Sequence, residues 1–215
     1  MNAVADTILV IILLQNVFFL GSGRLRTIIH AVAAQGVILS LLPLFYYGRL
    51  GTTEALVSAG ALLLKGVTIP RMLMRALADL PIRREIEPIL GFKASLVLGA
   101  AGTVGAIYAA SQLPLAGSGG GAERMAIAAS FATVFTGFLL LTTRTKALTQ
   151  VLGYLVLENG VYIFGVLLLE STTFLVEVGV LLDLFVAIFV MGIIINHISR
   201  EFTSISTDRL STLKD

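Results

Sequence analysis

The sequence predicts an all-α, polytopic membrane protein of about seven transmembrane helices, with the N-terminus outside and the C-terminus inside. Three observations predict this fold class: the composition, the number of long apolar stretches and the distribution of basic residues. Apolar residues make up 57% of the 215 positions and charged residues only 13%, and the mean hydropathy is +0.96. Soluble domains average about 45–50% apolar and about 25% charged residues. A lipid bilayer is the environment that accommodates this excess of apolar side chains.

Seven stretches are long and apolar enough to be predicted as spanning helices, which need about 20 residues each. They cover residues 4–21, 27–47, 53–78, 93–112, 125–143, 148–169 and 173–198. The third stretch becomes amphipathic near its end, at Arg71, Arg75 and Asp79. Pro70 is expected to kink this helix or to mark the point where it leaves the lipid. A polar loop at 80–92 and a Gly-rich linker at 113–123 flank the fourth helix.

The basic residues predict the orientation, because cytoplasmic loops carry an excess of Lys and Arg. With the N-terminus outside, only Arg49 and Arg124 lie on the outer side, and Lys65 falls inside the bilayer. All other basic residues lie on the inner side: Arg24, Arg26, Arg71, Arg75, Arg83, Arg84, Lys93, Arg144, Lys146, Arg200, Arg209 and Lys214. An even number of helices would destroy this separation.

An internal repeat suggests that a three-helix unit is duplicated. Residues 18–39 resemble residues 138–163, with Gln35-Gly36-Val37 aligned on Asn159-Gly160-Val161. The helices that follow also match, at 56–65 and 175–183. The predicted units are therefore a first three-helix unit at 1–79, a joining helix with its loops at 80–124, a second unit at 125–198 and a cytoplasmic tail at 199–215.

Ionisable residues within the predicted spans are the candidates for function, since a charge at the centre of a spanning helix costs about 2.5–3.5 kcal/mol on insertion scales. Lys65 lies at mid-depth in the third helix. A buried Lys can have a strongly lowered pKa and exchange protons near neutral pH. The alternative is a structural ion pair with a carboxylate on another helix.

Glu158 lies at the centre of the sixth helix, next to Asn159. Tyr154 and Tyr162 are one turn away on either side and therefore share its face. The pattern predicts a carboxylate flanked by hydroxyl groups that could pass protons or hold water. The alternative is that Glu158 is the buried partner of Lys65 and has no other role.

The seventh predicted helix adds Asp183 and Glu177 as further candidates for a proton path. Their separation of six residues corresponds to about 9 Å along the helix, and they point in different directions. They could serve as successive stations, or each could meet a different neighbour. Glu177 could also simply reach the outer interface.

The remaining polar residues are predicted to have supporting roles, and no cofactor is predicted. His30 and His197 fall near the inner ends of their helices, where an interfacial position is favoured over haem ligation. Gln35 and Asn16 could hydrogen-bond between helices. The chain has no Cys, and no metal-ligand spacing, phosphate-binding loop or nucleophile motif is evident. A net charge of +2 does not favour nucleic acid binding, and no catalytic centre is predicted.

Several motifs resemble one membrane-protein family, hydrogenase-4 component E. The segment 153–195 resembles its C-terminal part, through ENG at 158–160 and LVEVGVLLDLFVAIFVMG at 175–192. LLLKGVTIP at 62–70 resembles its helix with a mid-membrane Lys followed by Pro, and DRLSTLKD at 208–215 resembles its polar tail. The resemblance covers nearly the whole chain, although residues 80–125 match only in character.

That family is related to the NuoK-like subunit of complex I and the MrpC-like subunit of cation/proton antiporters. NuoK-like proteins carry a mid-membrane Glu on each of two helices. The resemblance implies that Glu158 corresponds to one of them and that Asp183 lies close to the other. Asp183 departs from the pattern by its shorter side chain, which leaves its role open. The first repeat has Ala34 and Gln35 where the second has Glu158 and Asn159.

The resemblance implies a non-catalytic inner-membrane subunit in the membrane arm of a complex-I-like oxidoreductase, such as a group 4 [NiFe] hydrogenase. Its partners would be antiporter-like membrane subunits and the subunit that links them to a cytoplasmic redox arm. Its buried charges would contribute to proton translocation and coupling. Three alternatives remain at this point: a purely structural spacer, a subunit of a cation/proton antiporter assembly, and a free-standing transporter.

Overall fold

The regular structure is helical wherever the computed structural model describes the chain, at residues 3–47, 52–79, 89–113 and 120–168 and at Gly192. The helices are α1 (Ala3–Gly21), α2 (Leu25–Tyr47), α3 (Thr52–Leu63), α4 (Ile69–Asp79), α5 (Gly91–Gln112), α6 (Gly120–Thr143) and α7 (Ala147–Leu168). A π-helical segment, Leu64–Thr68, joins α3 to α4 without a break. The all-α prediction is therefore confirmed for these ranges, and the seventh predicted helix, 173–198, lies outside them except for Gly192.

Four helices are long and apolar enough to cross a membrane, over Val4–Gly21, Leu25–Leu42, Gly91–Gln112 and Glu123–Thr143. The sequence predicted seven spans, so fewer spans than predicted meet this length and hydropathy criterion within the described residues. One reason is that the π segment divides the third predicted span into two shorter helices. Helix α7 is 22 residues long and carries the buried polar residues Glu158 and Asn159.

The distribution of side chains is that of a membrane protein, because large apolar residues face outward and polar residues face inward. Val97, Val104 and Leu14 are between 65% and 68% exposed, whereas Gln35 and Glu158 are 0% and 2% exposed. In water this arrangement would be unfavourable. In lipid it is expected, since polar groups within spanning helices face the interior of the bundle.

Two apolar clusters enclose a belt of buried polar residues. The first lies at the end of the bundle that carries Arg24 and Arg26, here called the basic end, and includes Phe19, Ile28, Leu73, Leu140 and Leu152. The second, the far-end cluster, includes Leu9, Ile12, Leu39, Ala129 and Ile163. Between them along the helices lies the polar belt, which consists of Asn16, Gln35, Lys65, Thr133, Glu158 and Asn159.

Helices α6 and α7 approach so closely that their contact requires glycine. A Cβ atom added to Gly137 would overlap the backbone of Leu157. A Cβ atom on Gly160 would lie 2.6 Å from the backbone nitrogen of Val134. Small residues commonly allow such contacts between membrane helices. The close approach brings the α6 side of the belt next to Glu158 and Asn159.

Replacing one of these glycines is expected to destabilise the protein. Gly137→Ala should lower the melting temperature, because overpacking of a tight contact typically costs about 1–3 kcal/mol. Thermal unfolding in detergent, followed by circular dichroism, measures the change. Gly105→Ala is the matched control, because nothing lies within 4 Å of its added Cβ. Equal melting temperatures for the two variants would contradict the proposed backbone contact.

Candidate functional site

Lys65 and Glu158 form a buried ion pair within the polar belt. The Lys65 Nζ atom lies 2.6 Å from Glu158 Oε1, and the side chains are 8% and 2% exposed. Each ion loses several kcal/mol of hydration on burial, which only close pairing and further hydrogen bonds can offset. The two mid-membrane charges that the sequence singled out on separate helices therefore meet directly.

The π segment and two glycines determine where Lys65 lies. The Ile69 N–H donates to the Leu64 carbonyl, five residues earlier, so the helix is locally wider than an α-helix. A Cβ atom on Gly36 of α2 would lie 2.9 Å from Lys65 Cβ, and one on Gly66 would lie 2.7 Å from Val37 Cγ2. The π segment therefore packs directly against the α2 backbone, and Lys65 is directed towards α7.

Further groups surround the ion pair. Lys65 Nζ also donates to Asn159 Oδ1 at 3.3 Å, and it lies 5.1 Å from the centre of the Tyr162 ring. A cation at this distance from an aromatic ring is attracted to it. Glu158 Oε2, in contrast, is buried and has no hydrogen-bond partner in the described part of the chain. One carboxylate oxygen therefore binds Lys65, and the other has unused acceptor capacity.

A chain of amide side chains continues the belt from Asn159 across three other helices. Asn159 Nδ2 donates to Gln35 Oε1 at 3.0 Å, and Gln35 Nε2 donates to Asn16 Oδ1 at 3.3 Å. Asn16 Nδ2 then donates to Thr133 Oγ1 at 2.8 Å. The Thr133 hydroxyl donates in turn to the Ala129 carbonyl at 2.7 Å. Side chains from α7, α2, α1 and α6 are thus linked in one series.

All donors in this amide chain point away from Lys65, and this direction determines how Asn159 is oriented. Because Asn159 Nδ2 is occupied by Gln35, Asn159 presents its carbonyl oxygen to the ammonium group. Side-chain amides have no ionisable proton in the physiological range. The chain therefore orients Asn159 towards Lys65 rather than offering a second group that changes its charge.

Not every predicted site residue belongs to the belt. His30 is exposed near the basic end of α2, and its Nδ1 lies 2.7 Å from the Arg26 carbonyl, so this nitrogen is the donor. Tyr154 packs against the basic-end cluster. Glu177, Asp183 and His197 lie outside the described residues. Lys65, Glu158, Asn159, Gln35 and Tyr162 are the predicted residues that the structure brings together.

Sequence reasoning missed the contribution of α6. Thr133 ends the amide chain, and Ser130 donates to the Gly160 carbonyl at 2.8 Å. Both hydroxyl residues lie within an apolar helix, where such residues can satisfy their hydrogen bonds locally. The available sequence signal was their position near the middle of α6, at a depth in the bundle similar to that of Gln35 and Glu158.

Arg144 was predicted only to set the topology, yet its side chain is 1% exposed. It lies in the turn between α6 and α7, donates to the Leu20 carbonyl at 3.0 Å and lies 5.3 Å from the centre of the Phe92 ring. Burial lowers the pKa of its guanidinium from the ordinary value. Arg144 therefore ties the turn between α6 and α7 to the end of α1.

No cluster of three or more potential metal ligands occurs within the described ranges.

Comparison with known proteins identifies relatives along most of the chain. The uncharacterized protein Rv0085 of Mycobacterium tuberculosis strain H37Rv is 31% identical over 207 residues, which cover 95% of this chain and 93% of the relative. The chain belongs to the family of this mycobacterial protein. Hydrogenase-4 component E of Escherichia coli K12 is 24% identical over 157 residues, or 73% of this chain and 72% of that protein, and the protein of that name in Shigella flexneri matches to the same extent. No protein-family model matches, and no solved structure matches.

The ion pair predicts a non-additive pattern of stabilities. Glu158→Gln should strongly destabilise the protein, by roughly 3–5 kcal/mol, because it leaves Lys65 as an unpaired buried charge. Lys65→Met should also destabilise it. The double variant should be more stable than Glu158→Gln alone, since neither charge remains.

Melting temperatures of the wild type, both single variants and the double variant form the double-mutant cycle that tests this coupling. If the effects of the single substitutions simply add, Lys65 and Glu158 do not interact as described.

Proposed function

We propose that this protein is a membrane-arm subunit of a complex-I-like oxidoreductase and that Lys65 and Glu158 take part in proton translocation. The observation that carries the proposal is the 2.6 Å contact between a buried ammonium and a buried carboxylate, within a polar belt between two apolar clusters. The similarity to hydrogenase-4 component E over about three quarters of both chains supports the assignment to such an assembly.

The chemistry of the pair suits a proton relay. Lys65 Nζ can transfer one proton to Glu158 Oε1, which converts the ion pair into a neutral amine and a neutral carboxylic acid. A low-dielectric environment disfavours charged forms, so the two states are closer in energy here than in water. Small electrostatic changes in neighbouring subunits could then shift the proton from one residue to the other.

The proposed path continues through residues on both sides of Glu158. Tyr154 and Tyr162, one turn away, would assist by hydrogen bonding, while Asn159 and Gln35 would orient the pair. Glu177 and Asp183 of the seventh predicted helix would be further proton stations. The proposed partners are antiporter-like subunits and the subunit that connects them to a cytoplasmic redox arm. The redox reaction would take place in those partners.

We also propose the complete topology of seven spans in the inner membrane, with the N-terminus outside and a duplicated three-helix unit. Two features support the duplication. Helix α1 packs against α6 and α2 against α7, so the helices that the repeat aligns are neighbours. In addition, the aligned residues Gln35 and Asn159 hydrogen-bond with each other.

A structural spacer is the second candidate function. The observation in its favour is the continuous amide chain, because it links four helices and would stiffen the protein between two larger subunits. In that case the Lys65–Glu158 pair would be a static contact, and neither residue would exchange its proton during turnover.

The substitution Glu158→Gln separates the two candidates. In the assembled complex, reconstituted in vesicles with a pH-sensitive dye, proton translocation should fall by about tenfold or more, as is typical when a proton-transferring side chain is lost. Because the substitution also destabilises this subunit, translocation is compared only in complexes from which the partner subunits co-purify and which retain redox activity. Glu123→Gln is the matched control, since Glu123 lies in the first turn of α6, away from the polar belt. Normal translocation by the Glu158→Gln complex would favour the spacer.

A further inference from the structure

A small cavity lies next to Lys65, on the side that faces the basic end. It is bounded by α2, the π segment, the start of α4 and α7. The space open to the centre of a water molecule is about 10 Å³. The lining residues that matter here are Ile29, Ala33, Lys65, Pro70, Leu73 and Asn159.

The cavity has the size and the polar groups that one water molecule requires. A single water needs roughly 10–15 Å³ of such space and two to four hydrogen-bonding partners. Lys65 supplies an ammonium group and Asn159 an amide. These two side chains, from the π segment and α7, are the polar side chains of the lining.

The residues that line the cavity extend from Lys65 in one direction along the helices. From Gly36 to Ile29, its lining follows α2 for seven residues, or about 10 Å at 1.5 Å per residue, towards the basic end. Ile29 lies one turn beyond Arg26, and Leu73 lies between Arg71 and Arg75. On the opposite side of Lys65 is the ring of Tyr162, which packs against the far-end cluster. Among the described residues, the lining of the cavity therefore extends from Lys65 towards the basic end.

We propose that this cavity binds a water molecule that connects Lys65 to the basic end of the bundle. The inference rests on the proposed proton role of Lys65 for its function, but the water site itself does not depend on it. After Lys65 has passed its proton to Glu158, the bound water would donate a proton to the neutral amine while accepting one that arrives from the basic end, so that it remains a water molecule. Ile29 and Leu73 would form an apolar constriction between this water and the surface, which would limit how readily the proton is replaced.

Hydroxyl-radical footprinting in water labelled with ¹⁸O tests the site directly, because radicals formed from a bound water oxidise the side chains around it. The full-length protein is used in detergent, and mass spectrometry measures oxidation at each residue. Leu73 and Ile29, both 1% exposed, should be oxidised roughly threefold or more faster than equally buried residues without a neighbouring water. Leu9 and Ile12, both 0% exposed and in the far-end cluster, are the reference residues.

Filling the cavity provides the matched comparison. Ala33→Val adds two methyl groups to the cavity wall and should reduce oxidation of Leu73 and Ile29 to the level of Leu9 and Ile12. Ala34→Val is the control, because Ala34 is the next residue of α2 and is exposed. It introduces the same β-branched side chain into the same helix and should leave the oxidation unchanged.

The results also distinguish the water site from the proposed function. If Leu73 and Ile29 are oxidised no faster than the reference residues, or if Ala33→Val and Ala34→Val behave alike, the cavity is dry and the inference is wrong. If oxidation follows the expected pattern while the Glu158→Gln complex translocates protons normally, the water site is retained and the proton role of the pair is rejected.

Discussion

The structure depends on the burial of two opposite charges in the middle of an apolar bundle. An isolated ammonium or carboxylate at this depth would be strongly unfavourable. The 2.6 Å contact between Lys65 and Glu158 makes both tolerable. The requirement for this contact explains the π segment, the glycines at the α2 interface and the orientation of Asn159, since each brings a group towards the pair or holds it there.

The polar belt is confined by its apolar surroundings. The basic-end cluster and the far-end cluster consist of apolar side chains, so the polar groups between them must satisfy one another. The amide chain does this across four helices. Within the belt, Glu158 Oε2 is a buried atom with no hydrogen-bond partner in the described residues, so the carboxylate that pairs with Lys65 keeps acceptor capacity.

Local sequence features predicted the helices well because they depend on composition along one segment. The boundaries predicted for the first six helices agree with α1, α2, the continuous α3–π–α4 segment, α5, α6 and α7 to within a few residues. The π segment could not be predicted, since it arises where Lys65 packs against Gly36. Arg144 was predicted only to set the topology, and its burial results from contacts with α1 and Phe92 that are distant in sequence.

The sequence by itself determined that the chain is helical and belongs in a membrane, and it identified Lys65 and Glu158 as charges that lipid would reject. These properties follow from residue type and spacing along the chain. Only the tertiary structure decided that Lys65 meets Glu158, that Gln35 meets Asn159 and that Thr133 completes the series. Such contacts depend on the depth and rotation of each helix relative to the others. Those are set by close packing at glycines such as Gly36 and Gly160, over separations that no local pattern records.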